Sequence, residues 1–180
     1  HIERTAEKLG VTRENLLNRI REYYDGFSFN GVQRVYNPFS TLNFFDDSKF
    51  NNYWFESGQP SFISKYIRAH SLSVPEFRGK EVDSSFASVH EIENAEPESF
   101  LYQAGYLTFR EILTDEDLRI SYILDYPNEE VIESVSRLFI QDVAGLGNNY
   151  LGFNRELTAA FDSDDIQKVI EVIDRILASI

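Results

Sequence analysis

The residues able to do chemistry are few and scattered. The three histidines, His1, His70 and His90, are far apart. No two share the i, i+4 spacing by which one helix presents a zinc pair. The chain has no Cys, which removes thiolate ligands, disulfides and a cysteine nucleophile. It has no Gly-x-Ser-x-Gly elbow to expose a serine. A phosphate loop needs a glycine-rich turn after a strand, then Lys and Ser or Thr opening a helix. Gly145-Leu146-Gly147 is the nearest glycine pair; it follows a helical stretch, lacks the Lys and fits a helix C-terminus. Glu129 and Glu133 lie one helical turn apart, whereas glycosidase chemistry needs two carboxylates facing across a cleft. They read as a solvated helix face. Thr114-Asp115-Glu116-Asp117 could hold a hard cation but lacks the Gly and distal Glu of a calcium loop. A polar hairpin tip is the simpler reading. No catalytic residue and no metal site is assigned.

Aromatic density is the unusual feature. Twelve aromatic residues fall between Tyr23 and Phe55. They could form a stacking surface for sugars or bases. Their spacings follow helix and strand periods, which favours an aromatic core.

The elements that must position these residues are mostly helical. Ile2, Ala6 and Leu9 share a face, with Gly10 as the stop. Thr12 caps a second helix carrying Leu16, Leu17, Ile20, Tyr23 and Tyr24. Asn30-Gly31 within Phe27 to Tyr36 predicts a hairpin. Asn37-Pro38 reads as a cap and first helical residue, and Ser57-Gly58-Gln59-Pro60 opens a further helix. Between Glu81 and Glu98 stand six acidic residues and no Lys or Arg, so 71–96 is read as an acidic linker or loop. From Pro97 the pattern is helix to Gly105, strand, the 114–117 turn, partner strand, and a helix capped by Pro127-Asn128 and ended by Gly145 and Gly147. Helix, hairpin, helix is the tail of a winged-helix arrangement. Asn154 is expected to cap the next helix, and Asp162 or Ser163 the last. That last helix carries a stripe of Ile166, Val169, Ile170, Ile173, Ile176 and Leu177.

The fold expectation is therefore mainly α with a small β component. It has a helical, aromatic-rich lid-like subdomain (1–70), the acidic linker (71–96), a winged-helix-like α+β subdomain (97–147) and a C-terminal helical pair (148–180). The 180 residues suit one large domain or two small ones. Thirty acidic against 17 basic residues give a net charge of -13, which argues against non-specific nucleic-acid binding. No apolar run reaches the ~18 residues of a membrane span, and no signal peptide is read, so a cytoplasmic location is expected. A chain without Met that begins at His1 reads as a segment of a longer protein. Omitted selenomethionine is the other account of the missing Met.

Five segments together resemble a known family. They are Tyr24-Asp25-Gly26-Phe27-Ser28-Phe29, Val35-Tyr36-Asn37-Pro38-Phe39-Ser40, Tyr53-Trp54-Phe55-Glu56-Ser57-Gly58-Gln59-Pro60, Leu101-Tyr102-Gln103-Ala104-Gly105-Tyr106-Leu107-Thr108 and Leu124-Asp125-Tyr126-Pro127-Asn128-Glu129-Glu130-Val131. Their order is similar to the bacterial AAA-ATPase-like proteins. These join a P-loop ATPase core to a C-terminal nuclease-like domain of the PD-(D/E)XK superfamily. The resemblance implies that this chain is the middle of such a protein. It places the ATPase core before His1, the nuclease-like domain after Ile180, and ATP and Mg with the core. No family catalytic residue carries over, and the motif residues read as structural. A lid role implies a basic side chain reaching nucleotide phosphates, and Arg34 is the candidate, since a guanidinium forks onto phosphate.

The expected function is thus a non-catalytic interdomain region coupling nucleotide state to the nuclease-like domain. One alternative is a winged-helix nucleic-acid-binding module. The helix from Pro97 has no Lys or Arg, and the one from Glu129 has only Arg137. The other is a carbohydrate-binding module, which requires the aromatics to line an open cleft.

Overall fold

The computed structural model describes residues 1–57, 60–72, 77–86, 96–140, 145 and 147–178. Gly58, His90 and Leu146 lie outside them. The fold is mainly α with a small antiparallel sheet. No helix among the described residues is long and apolar enough to cross a membrane.

The first three helices are α1 (Ile2–Leu9), α2 (Arg13–Tyr24) and α3 (Pro38–Asp47). Their ends follow the expected signals. Gly10 takes a left-handed conformation after α1. Thr12 Oγ1 accepts from Asn15 N at 3.2 Å, and Asn37 Oδ1 from Ser40 N at 3.2 Å, with Pro38 at the first helical position. Such caps supply partners for amides that have none within the helix. Ala6, Leu16, Ile20, Tyr24 and Phe44 form the core of this layer.

The expected hairpin at 27–36 reduces to a single bridge, Phe27 with Val35. Asn30 Oδ1 accepts from Val32 N and Gln33 N at 3.1 and 2.8 Å. That side-chain turn replaces the strand ladder.

Helices α4 (Tyr53–Ser57) and α5 (Pro60–His70) follow, and here the expected boundary at residue 70 fails. Tyr53 packs on the first core, while Phe55, Ile63 and Ile67 belong to a second one. The division falls inside α4. Within the expected acidic linker, the described residues 77–86 belong to the fold. Strand β1 (Glu81–Asp83) pairs antiparallel with a later strand, and Leu72, Phe77 and Phe86 are buried in the second core. Three apolar side chains outweigh the surrounding charge, because each buried ring or leucine contributes roughly 1.5–3 kcal/mol.

Helix α6 (Pro97–Gln103), strands β2 (Thr108–Thr114) and β3 (Ile120–Asp125), and helix α7 (Glu129–Leu138) appear in the expected order. The sheet order is β1-β3-β2. Leu107 and Leu124 are fully buried under it. Asn128 Oδ1 accepts from Val131 N at 3.1 Å and so caps α7. Helix α7 is α-helical to Leu138 and continues as π-helix through Ile140; residues 141–144, before the expected stop at Gly145, lie outside those described.

Helices α8 (Tyr150–Asp162) and α9 (Ile166–Leu177) make the C-terminal pair. Two capping expectations are corrected. Asn154 lies inside α8, and its carbonyl accepts from Thr158 Oγ1. Asp165, not Asp162 or Ser163, caps α9 by accepting from Lys168 N at 2.9 Å. In the α9 stripe Val169 is buried, but Ile166, Ile170, Ile173 and Leu177 are exposed, and Val172 is the fully buried residue.

A junction built by the motif segments, centred on Glu130

The five motif segments, spread over a hundred residues of chain, meet in one place. Tyr36, Asn37, Pro38, Trp54, Gln103, Gly105, Pro127 and Asn128 all border a single groove of about 350 Å³. Two glycines are required there. Gly26 has φ 121°, and a Cβ on it would lie 1.9 Å from the Pro127 carbonyl oxygen. Gly105 has φ 82°, and its Cβ would lie 3.3 Å from the Trp54 ring. These contacts explain a glycine opposite a proline and another under an indole. Trp54 also packs on Tyr106, with ring centroids 5.1 Å apart.

Other motif residues serve the cores. Tyr24 is fully buried; its hydroxyl donates to the Asn51 carbonyl and accepts from Asn51 N, both at 3.1 Å. Asp25 accepts from Gly26 N at 2.8 Å. The Tyr53 hydroxyl donates to the Lys49 carbonyl at 2.9 Å. Gln103 Nε2 donates to Ser99 Oγ at 3.4 Å. Tyr106 and Tyr126 are buried in the second core, and burial pushes the Tyr106 phenol up to about 12. Pro60 is the first residue of α5.

At the back of the junction lies a residue that sequence reasoning missed. Glu130 has no exposed surface. Its Oε1 accepts from Ser40 Oγ at 2.8 Å and from the Trp54 backbone N–H at 2.9 Å. Its Oε2 has no partner, nor does Ser134 Oγ one helical turn on. Desolvation pushes the carboxyl up to about 7, against the lowering effect of those two donors. An ionised carboxylate is costly to bury without full pairing. A signal existed: the inward face of α7 includes Glu130, Val131, Ser134, Val135 and Leu138. A small Ser at 134, one turn beyond, widens that face to take in 130.

The carboxylate pair Glu129 and Glu133 does not face across a cleft. Glu129 is exposed, while Glu133 accepts from the Tyr23 hydroxyl and lies 3.8 Å from Arg137. The hairpin-tip cluster resolves into a turn, with Asp115 Oδ1 accepting from Asp117 N and Arg119 N at 2.9 and 2.8 Å. His1 contacts the Phe45 ring and His70 stacks on Tyr66. Of the twelve clustered aromatics, Tyr23, Tyr24, Phe44, Phe45, Phe50 and Tyr53 build the first core and Phe55 the second. Phe27, Phe29, Tyr36 and Trp54 border the groove. Arg34 donates from Nη1 to the Gly26 carbonyl at 2.7 Å and from Nη2 to the Arg110 carbonyl at 3.4 Å.

An uncharacterized protein in the vnfD 5' region of Azotobacter chroococcum mcd 1 is similar to this chain. The two are 31% identical over 123 residues, which is 68% of this chain and 23% of that protein. The chain spans less than a quarter of that relative's length. No family model matches the sequence, and no solved structure matches it.

Proposed function

We propose that this chain is a non-catalytic coupling region of a larger, cytoplasmic AAA-ATPase-like protein. It passes nucleotide state from a P-loop core, which binds ATP and Mg, to a nuclease-like domain. The observation that carries the reading is the bridge at Glu130. One carboxylate on α7 takes donors from α3 and α4 and so ties the first helical layer to the sheet-containing unit. A tie of this kind lets two packed units move as bodies about a shared interface. The longer length of the Azotobacter relative is in keeping with a multidomain parent. In this reading the motif residues maintain the joint, and Arg34 is the side chain offered to nucleotide phosphates.

The order α5, β1, α6, β2, β3, with sheet order β1-β3-β2, favours a winged-helix-like description of the second unit. Its α6, in the position that would read nucleic acid, carries no Lys or Arg. The module is therefore proposed to contact protein rather than nucleic acid.

The test is amide hydrogen exchange on the longer protein that contains this region, with and without Mg-ATP. Coupling predicts changed protection at Trp54 and Val131, whose amides sit on the joint. Identical exchange at both in the two states contradicts it.

A further inference from the structure

We propose that Arg34, Arg78 and Arg110 form a binding site for the phosphoryl groups of a small molecule, at the base of the β2–β3 hairpin. The three arginines border one open hollow of about 570 Å³, with Thr108 and Asp125 on its wall. That volume falls within the range of small-ligand sites, roughly 300–1,000 Å³. In a chain with a net charge of -13, three guanidiniums around Asp125 make a local positive island among the described residues. Like charges repel, so such clustering costs stability unless an anion answers it.

The backbone builds this cluster. The β2–β3 register slips between Phe109 and Glu111, so Arg110 is the extra residue of a bulge. A bulge re-aims a side chain that regular alternation would direct elsewhere. The same bulge frees the Arg110 carbonyl to accept from Arg34, which is also held by the Gly26 carbonyl. Asp125 is fixed by accepting from its neighbour Tyr126 N at 2.8 Å. It then spaces the other two arginines, Arg78 Nε 3.4 Å from Oδ1 and Arg110 Nη1 3.8 Å from Oδ2. Both contacts are loose, and Arg78 and Arg110 are 57% and 63% exposed. Each guanidinium offers five N–H donors in a plane, and those of Arg78 and Arg110 are more than half open to solvent. A phosphoryl group takes forked arginine bonds and carries enough charge to answer several guanidiniums at once. A small molecule fits better than a nucleic acid, since the chain's net charge of -13 repels a polyanion on average.

This site shares Arg34 with the coupling reading and otherwise stands apart from it. It needs no ATPase core, and the coupling reading survives without it.

The experiment is calorimetric titration of this chain with sodium pyrophosphate at constant ionic strength, without Mg. A nucleoside diphosphate and a short single-stranded DNA are run as separate arms. Saturable pyrophosphate binding is expected, weakened about tenfold by Arg78→Ala and by Arg110→Ala. Both side chains are exposed, so the fold does not depend on them. Arg137→Ala, on α7, leaves binding unchanged. Asp125→Asn keeps an acceptor for Tyr126 N but removes the competing charge, and tightens binding severalfold. A diphosphate that binds more tightly than pyrophosphate identifies a nucleotide as the source, and equal affinity identifies the inorganic anion. No saturation, equal affinity in the Arg78 and Arg110 variants, or DNA binding tighter than pyrophosphate each overturn the proposal.

Discussion

Glu130 Oε1 accepts from Ser40 Oγ at 2.8 Å across the joint between the two cores, while Glu130 Oε2 has no partner. One carboxyl therefore stands half satisfied and fully buried. Its protonation and the joint's integrity are linked.

That linkage has a sign. The unfolded carboxyl titrates near 4.5 and the folded one near 7, so the folded state holds the proton more tightly. Its stabilising contribution is complete below about pH 4.5 and is lost as pH rises through about 7. The full span is worth roughly 3 kcal/mol at most, from 1.36 kcal/mol per pKa unit. Urea denaturation from pH 5 to 8 should show stability falling from pH 5 to about 7 and levelling above it. Glu130→Gln, which carries no charge at any pH, should flatten the fall. A variant with the wild-type slope would place the titration elsewhere.

Gly26→Ala should be among the most damaging single substitutions. The added Cβ meets the Pro127 carbonyl oxygen at 1.9 Å, at a φ of 121°. Strain of this kind costs about 1–3 kcal/mol before any backbone shift. Gly10→Ala is the control. It also has positive φ, but nothing lies within 4 Å of its Cβ, and it should cost only about 1 kcal/mol. Chemical denaturation of the two variants gives the comparison, and equal costs would contradict the close approach.

Phe86→Ala tests whether the acidic stretch belongs to the core. The ring is buried and packs on Phe109 at 5.6 Å between centroids. Truncating such a ring costs about 3–5 kcal/mol. A true linker would tolerate the change within about 0.5 kcal/mol.

The α9 stripe divides in the same way. Val172 is fully buried and Ile170 is 49% exposed. Val172→Ala should lower stability by roughly 1–3 kcal/mol. Ile170→Ser should change it by less than about 1 kcal/mol. Thermal melts of both variants check the order, and its reversal would mean that α9 packs by another face.

The local signals in the sequence carried much of this fold. Thr12, Asn37 and Asn128 cap the helices they were expected to cap, because a cap is decided by a few adjacent atoms. Long-range pairing was not legible. Nothing near Glu81 announces that its strand will find β3 some forty residues away, and the charge around it pointed to a linker. The Asn30-Gly31 turn formed without its ladder, since Asn30 bonded the following amides itself. At the junction, the motif residues were legible one by one, but their meeting in one groove was not. Glu130 was hidden because Glu129, Glu130 and Glu133 look alike in sequence. Only helix phase separates the buried one from its exposed neighbours.

The most direct test of coupling is a distance. This chain has no Cys, so Glu7→Cys on α1 and Glu116→Cys at the hairpin tip give spin labels on the two units. Both residues are exposed. Measured by pulsed electron resonance in the proposed multidomain parent, with cysteines elsewhere replaced, their separation should shift on adding Mg-ATP. Glu130→Gln should alter the shift. A distance distribution that is the same with and without nucleotide would contradict the coupling role.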